Sequence, residues 1–297
     1  MELRKLAKTI LPARAFDSLR RVKWERERRR VRSLPPLTEV DFKDILVGDL
    51  HLSPGDLVYV HSGMDGLNLG FPFYRILFLI QEVIGGGGTV VFPTYPNHRI
   101  SSFEWLQQGN VFDVRHTPSY TGILSEFARR QRKAVRSLHP TKSVCAIGPA
   151  AQELTATHHL SPYPYDTGSP YYKLIAGSGK IIGLGASTNY ISFAYCVDDA
   201  FKEEFPVRVY HDEIFVAPCI DYEGKQITVR TYAHDMSTTV HPYMPDWFRT
   251  YVSEEACRDL TLRGMKFFRA SAPRLFAEMI ALARQDITTY PRSVRKK

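Results

Sequence analysis

The fold turns on residues 134–199. They read AVRSLHPTKSVCAIG (134–148), HHLSPYPYDTGSPYYKL (158–174) and IIGLGASTNYISFAYCVDD (181–199). The stretch holds three histidines, two of the four cysteines and a carboxylate pair. IIGLG is an apolar run closed by glycine, which is the pattern of a short buried strand entering a tight turn. ISFAYCVDDAF then opens a helix. In a strand–turn–helix unit the start of the helix faces the crevice at the carboxyl end of the sheet. Tyr195 and Asp198 would sit one or two turns into that helix.

Working outward, the same grammar repeats. Leu57–Val60 is a strand, left by His61-Ser62-Gly63, and FPFYRILFLIQEVI is the helix that follows. Gly85–Gly88 end that helix; the run lacks the GK[ST] ending of a phosphate loop. TVVFPTYP is a second buried strand and Ser143–Ile147 a third. Residues 97–122 read as a loop on the substrate side, and TGILSEFARRQRKA as a helix whose basic end suits a helix C-terminus. Residues 206–233 alternate around Asp221-Tyr222-Glu223-Gly224, a hairpin signal. Residues 247–285 read as helical. Together these predict a three-layer α/β/α domain over residues 36–297, with a central, mainly parallel sheet and a smaller β subdomain.

The chain has 297 residues, 44% of them hydrophobic, enough for a large core. No apolar run reaches the ~18 residues of a membrane span. The charged start is not a secretory signal. The four cysteines are widely spaced with no CxxC pair, which predicts reduced thiols, a cytoplasmic protein and no metal site. The net charge of +8 has one address: residues 1–32 carry twelve Lys/Arg against four Asp/Glu, and the remaining 27 bases and 27 acids cancel. The basicity therefore belongs to an arm (residues 1–35) and argues against a nucleic-acid-binding body. Leu3, Leu6, Ala7, Ile10 and Leu11 make an apolar stripe in that arm. Two readings stand: a peripheral anchor on an anionic inner membrane surface, or a helix packed on the domain or on a second copy in a homo-oligomer. Thr38 reads as the N-cap of the next helix.

The order of motifs resembles the aminoglycoside 3-N-acetyltransferase family. VHSGMDGLNLG, GGGGTVVFPTY, FDVRHTPSYTGILSEFARR, RSLHPTKSVCAIGPAA, HHLSPYPYDTGSPYYKL, IIGLG and SFAYCVDD occur in register over roughly residues 36–285. The resemblance is to members found with polysaccharide and nucleotide-sugar enzymes. It implies an acetyl-CoA-dependent N-acyltransferase and an amino-sugar acceptor. It places the CoA thioester against Ser62, Gly63, the loop of Thr117, Ser119 and Thr121, and Arg136-Ser137. The family's T-x-x-H-x-x-E, a base histidine oriented by glutamate, falls here on Ser192, Tyr195 and Asp198.

Histidine to tyrosine is the departure that matters. An unperturbed tyrosine has a pKa near 10 against about 6.5 for histidine, so at neutral pH it donates rather than abstracts a proton. Three readings follow: another histidine serves, with His61 and His139 best placed by motif; the acceptor needs no enzymic base or is a hydroxyl; or the chain is a catalytically silent member that binds a partner. His159 matches the family's histidine ten residues before Ser169 and reads as structural, and His158, His211, His234 and His241 have no motif support.

Overall fold

A computed structural model describes residues 13–238 and 243–291; the apolar stripe of residues 3–11, His241 and the basic tail lie outside them. The chain folds in the order β1 (Leu57–Ser62), β2 (Thr89–Pro93), β3 (Phe112–Asp113), β4 (Val135–Arg136), β5 (Val144–Ile147), β6 (Lys180–Leu184), β7 (Phe215–Ile220), β8 (Gln226–Thr231), β9 (Cys257–Leu262) and β10 (Met265–Ser271). Seven strands form one sheet in the order β4-β5-β2-β1-β6-β10-β9, and β3-β7-β8 form a smaller one.

A central sheet with helical layers and a small β subdomain are as expected, but the sheet is mixed rather than mainly parallel. Within that sheet parallel pairing is confined to the centre, β2-β1-β6, while in the small sheet β3 pairs parallel with β7. The outer partners β5, β4, β10 and β9 run antiparallel. Strand alternation then splits the core. Val58, Val60, Val90, Phe92, Ile182 and Leu184 face the helices Arg75–Ile84 and Ile123–Arg129. Tyr59, Val91 and Ile181 face the helices Pro170–Ala176, Tyr195–Phe201 and Ala272–Ala283.

Two further expectations are corrected. Residues 247–285 are not continuously helical: β9 and β10 form a hairpin between Met244–Tyr251 and Ala272–Ala283. Arg263 and Gly264, with φ of 48° and 77°, make its two-residue left-handed turn. Phe268 on β10 then packs across β6, where a Cβ on Gly183 would lie 2.0 Å from its ring. The stretch 97–122 is not all loop, since it holds the helix Ser102–Gln107 and β3. Thr38 caps its helix with a capping box, as expected.

The helix Ala13–Arg32 reaches the domain at its carboxyl end. Arg28 Nε lies 2.9 Å from Asp65, Arg30 donates to the Gly264 carbonyl at 3.0 Å, and Val31 is 1% exposed in the core. Burying the valine contributes about 1.5–3 kcal/mol, against at most ~1 kcal/mol for the half-exposed ion pair. Val31 therefore holds the arm's end in place.

The turns leaving β1 and β6 cross at near contact. Gly63 N donates to Leu184 O at 2.9 Å, Gly185 has φ of 64°, and a Cβ at Gly66 would meet Gly185 O at 2.1 Å. Gly66→Ala should therefore lower unfolding stability by about 1–3 kcal/mol, the cost of overpacking, as read by urea denaturation. An unchanged midpoint would show that the crossing is slack.

Candidate active site

The carboxyl ends of β1 and β2 meet the 117–122 loop. Thr121 Oγ1 donates to Pro93 O at 2.5 Å and lies 2.8 Å from Ser119 Oγ. Ser119 N donates to Glu126 at 2.8 Å, fixing the loop to the helix Ile123–Arg129. Gly122, at φ 128°, runs so close that a Cβ there would lie 3.7 Å from Ser62 O. Ser62, Gly63, Ser119 and Thr121 are thus brought together. Gly63's own amide is committed to Leu184 O, so in this cradle Ser62 Oγ, buried without a partner in the protein, is a free polar group. Thr117 sits behind, its hydroxyl accepting from Asp113 N at 2.8 Å.

Arg136 and Ser137, expected to contact the cofactor, are structural. Arg136 is 3% exposed. Its guanidinium donates to Thr117 O and Thr94 O at 2.5 Å each, its Nε lies 3.1 Å from Ser143 Oγ, and it stacks on Phe112. No carboxylate pairs with it among the described residues. Burial pulls its pKa down to about 9. Ser137 Oγ accepts from Val144 N at 3.0 Å and meets His158 Nδ1 at 2.8 Å, while His158 Nε2 donates to Pro164 O at 2.9 Å.

His139, expected as a base, is equally engaged. Its Nδ1 accepts from the amides of Lys142 and Thr141 at 3.0 and 3.3 Å. Nε2 therefore carries the proton and points at Thr231 Oγ1, 3.3 Å away. A ring that caps two amides and is fully buried, its pKa held well below the usual range by desolvation, has no lone pair left for a substrate. His61 differs. Its Nε2 is buried with no partner, its ring packs on Tyr59 at 4.9 Å and Phe268 at 5.9 Å, and burial pulls its pKa to about 3. It is a neutral imidazole facing the same layer as Tyr59.

Tyr195 is the first residue of its helix, after two single 3₁₀ turns, rather than a turn or two inside it. Burial, then the charge of Asp198, holds its hydroxyl well above the usual phenol range. Asp198 accepts from the Tyr290 hydroxyl, a partner from the chain's far end that the sequence did not suggest. Asp199 accepts from Tyr165 N and the Tyr210 hydroxyl, both at 2.7 Å. It ties the helix to the 163–166 loop and to the small subdomain. Two features escaped the sequence. His234, 5% exposed, packs its ring 4.6 Å from Tyr195 and 5.8 Å from Tyr165. Phenols also gather: the Tyr171 hydroxyl lies 2.8 Å from that of Tyr95, and Tyr165 packs on Tyr171 at 4.6 Å and Tyr195 at 5.2 Å. The only available signal was the density of tyrosine in 163–172. Tyr59 Oη, Tyr165 Oη, Ser192 Oγ and His61 Nε2 are buried here without hydrogen-bond partners. Buried polar groups are ordinarily satisfied, so these atoms mark a place for a polar ligand. The set can donate to and accept from a ligand, and it can hold a developing oxyanion by neutral hydroxyls.

Residues 60–282 match the family model for aminoglycoside 3-N-acetyltransferase. The chain is 31% identical over 164 residues to aminoglycoside N(3)-acetyltransferase IX of Micromonospora chalcea, covering 51% of this chain and 58% of that protein. It is 32% identical over 151 residues to aminoglycoside N(3)-acetyltransferase VII of Streptomyces paromomycinus, covering 46% and 52%. The matched stretches thus span little more than half the length of these curated relatives. Two solved structures superpose on it at TM-scores of 0.72 and 0.70: aminoglycoside acetyltransferase AAC(3)-Xa (19% identical, 91% of this chain and 99% of that one) and AAC-IIIb in binary complex with CoASH (20% identical, 86% and 99%).

Burial raises the Asp199 pKa to about 7, against the lowering effect of its two donors. Between the ordinary carboxylate value near 4 and about 7, the folded protein holds a proton that the unfolded chain has released. This carboxyl's contribution therefore falls as pH rises through that window. Asp199→Asn should flatten the decline in unfolding free energy between about pH 4.5 and about pH 7.5. Denaturant titrations at stepped pH check this, and an unaltered slope would count against it.

Proposed function

The chain belongs to the aminoglycoside 3-N-acetyltransferase family, and on that premise we propose that it is an acetyl-CoA-dependent N-acetyltransferase whose acceptor is an amino sugar of surface-glycan assembly. The observation that carries the reading is the convergence of Ser62 and Gly63 with the Ser119–Gly122 loop at the ends of the parallel strands. The crevice outside such ends is where open α/β sheets bind ligands. In the transfer, the amine attacks the thioester carbonyl, a C–N bond forms, the C–S bond breaks, and CoA leaves as thiolate to be protonated to the thiol. The enzyme has to hold the two reactants together, donate to the oxyanion and receive the amine's proton. Hydroxyls of the tyrosine cluster are the donors. Tyr195, a phenol that keeps its proton because it is held above its usual range, lines the pocket beside them rather than acting as the base. The imidazole left in reach of the strand end once His139 is committed is His61, with a free Nε2, and to take the proton its pKa has to rise from about 3 as charge develops on the bound substrate. Tyr195 in the base position also supports a second reading, transfer to a hydroxyl, whose proton is released only as the bond forms.

Acetyl-CoA turnover over a panel of amino sugars, their N-acetylated forms and neutral sugars tests both. Tyr195→Phe should keep activity within about tenfold, ~1.4 kcal/mol of barrier. His61→Ala should lose on the order of 10²-fold or more. CoA binding without transfer to any acceptor would leave a silent, partner-binding member as the surviving description.

The same reading places the protein in the cytoplasm at an anionic membrane surface through its arm. Val22 and Trp24 are 45% and 49% exposed on the helix and support a contact there. Because Val31 is in the core, the test removes only residues 1–24, Val22 and Trp24 among them: the fold should persist and partitioning onto anionic liposomes should fall. Equal partitioning would reject the anchor.

A further inference from the structure

A cation stands at the edge of the tyrosine-lined cleft, and the transfer chemistry makes no use of it. Lys142 comes just before β5, which runs antiparallel to β2, so its start lies at the carboxyl end of that parallel strand. Thr94 N, leaving β2, donates to Ser143 O there at 2.8 Å. The lysine is therefore on the side of the sheet where ligands bind. Val144 and Ala146 belong to the layer of Tyr59 and Tyr171, and strand alternation puts Lys142 on that same face.

The backbone of Lys142 is fixed. Its amide donates to His139 Nδ1 at 3.0 Å, and its carbonyl accepts from the Tyr171 hydroxyl at 3.0 Å. Its ammonium is not neutralised. Nζ lies over the Tyr95 ring, 5.1 Å from the centroid, a contact that steadies a cation and leaves its charge unanswered. Among the described residues no carboxylate pairs with it. Asp198 and Asp199, the buried carboxyls of the cleft, are taken by Tyr290, Tyr210 and Tyr165 N. The other partly buried lysines, Lys43, Lys173 and Lys180, each end on a protein oxygen. Burial pulls the Lys142 pKa down to about 8 with no acid to oppose it, so the group is still largely protonated at neutral pH.

A second observation gives this charge a ligand to meet. Tyr95 O accepts from Tyr120 N at 2.8 Å, beside Ser119 and Thr121 of the cradle, and its hydroxyl lies 2.8 Å from that of Tyr171. Tyr171 in turn packs on Tyr59 at 5.5 Å and on Tyr165 at 4.6 Å, whose buried hydroxyls have no partner. The ammonium thus adjoins both the cradle and the unsatisfied phenols. Neutral hydroxyls suit the hydroxyls of a sugar, whereas a partly desolvated point charge suits an anion.

We propose that Lys142 receives an acidic group of the acceptor, so that the sugar acetylated here carries a carboxylate or a phosphate as well as its amine. That the acidic sugar is an acceptor rests on the acetyltransferase reading; its binding at Lys142 does not. Lys142→Met is compared with the wild-type full chain, with Lys142→Gln as a second variant in case the first does not melt cooperatively. The probes are glucosamine, glucosamine 6-phosphate and glucosaminuronic acid, in calorimetric titrations and in acetyl-CoA turnover. The wild type should bind one of the acidic sugars at least tenfold more tightly than glucosamine. The variant should lose most of that ratio through KM rather than kcat, with CoA affinity unchanged. A response confined to glucosaminuronic acid makes the anion a carboxylate, and one confined to glucosamine 6-phosphate makes it a phosphate. A preference that survives the substitution overturns the proposal, as does a loss of CoA affinity in its place, or a fall in kcat at constant KM. Acetyl transfer with no preference for an acidic sugar also overturns it and leaves the acetyltransferase reading standing. Lys142-dependent binding of an acidic sugar, with no transfer to any acceptor, sinks that reading and leaves the anion site.

Discussion

Much of this molecule depends on one buried cation. Arg136 sits where the two sheets meet. It grips the end of β2 through Thr94 O and the cradle loop through Thr117 O, while its ring contact and backbone take in Phe112 and Tyr222 of the small subdomain. Burying a guanidinium without an acid is costly, and the cost is met here by hydrogen bonds to carbonyl and hydroxyl oxygens. An arginine can do this because its planar fork addresses several fixed acceptors at once, which a lysine cannot.

The chemistry of the cleft follows from a second constraint, desolvation. Tyr59, Tyr165, Tyr171 and Tyr210 are all buried, and burial holds each hydroxyl above the ordinary phenol range. His61, His139 and His158 are pulled the other way by the same cause. The result is a site of neutral donors and neutral acceptors. Its buried carboxyls, Asp198 and Asp199, are turned onto Tyr290, Tyr210 and a backbone amide. Such a site favours reactions that develop charge on the substrate, where preorganised hydroxyls are worth most.

The positions where reading the chain went wrong share a cause. Arg136 next to Ser137 looks like an exposed anion site, because sequence shows a cation near small polar residues and does not show the carbonyls it meets. His139 before a proline looks like a free imidazole, and the turn it caps closes on its own Nδ1. The β9–β10 hairpin hid inside a helical reading because Arg263-Gly264 is a weak turn signal, while β10's other partner, β6, is some 80 residues away. His234 drew no attention because its neighbour Tyr195 lies about 40 residues back. Asp198's partner Tyr290 is further still, 92 residues on.

What the sequence determined by itself is what local chemistry fixes. Apolar runs closed by glycine or proline set β1, β2, β5 and β6, the Thr38 capping box set a helix start, and the Asp221–Gly224 turn set the small hairpin. Ser62, Gly63, Ser119 and Thr121 were legible as one group through the order of motifs. The tertiary structure alone decided strand direction at the sheet's flanks and which histidine keeps a free nitrogen. Those outcomes depend on which distant groups share a buried volume. Desolvation and hydrogen-bond partnership are properties of that shared volume and not of any stretch of chain.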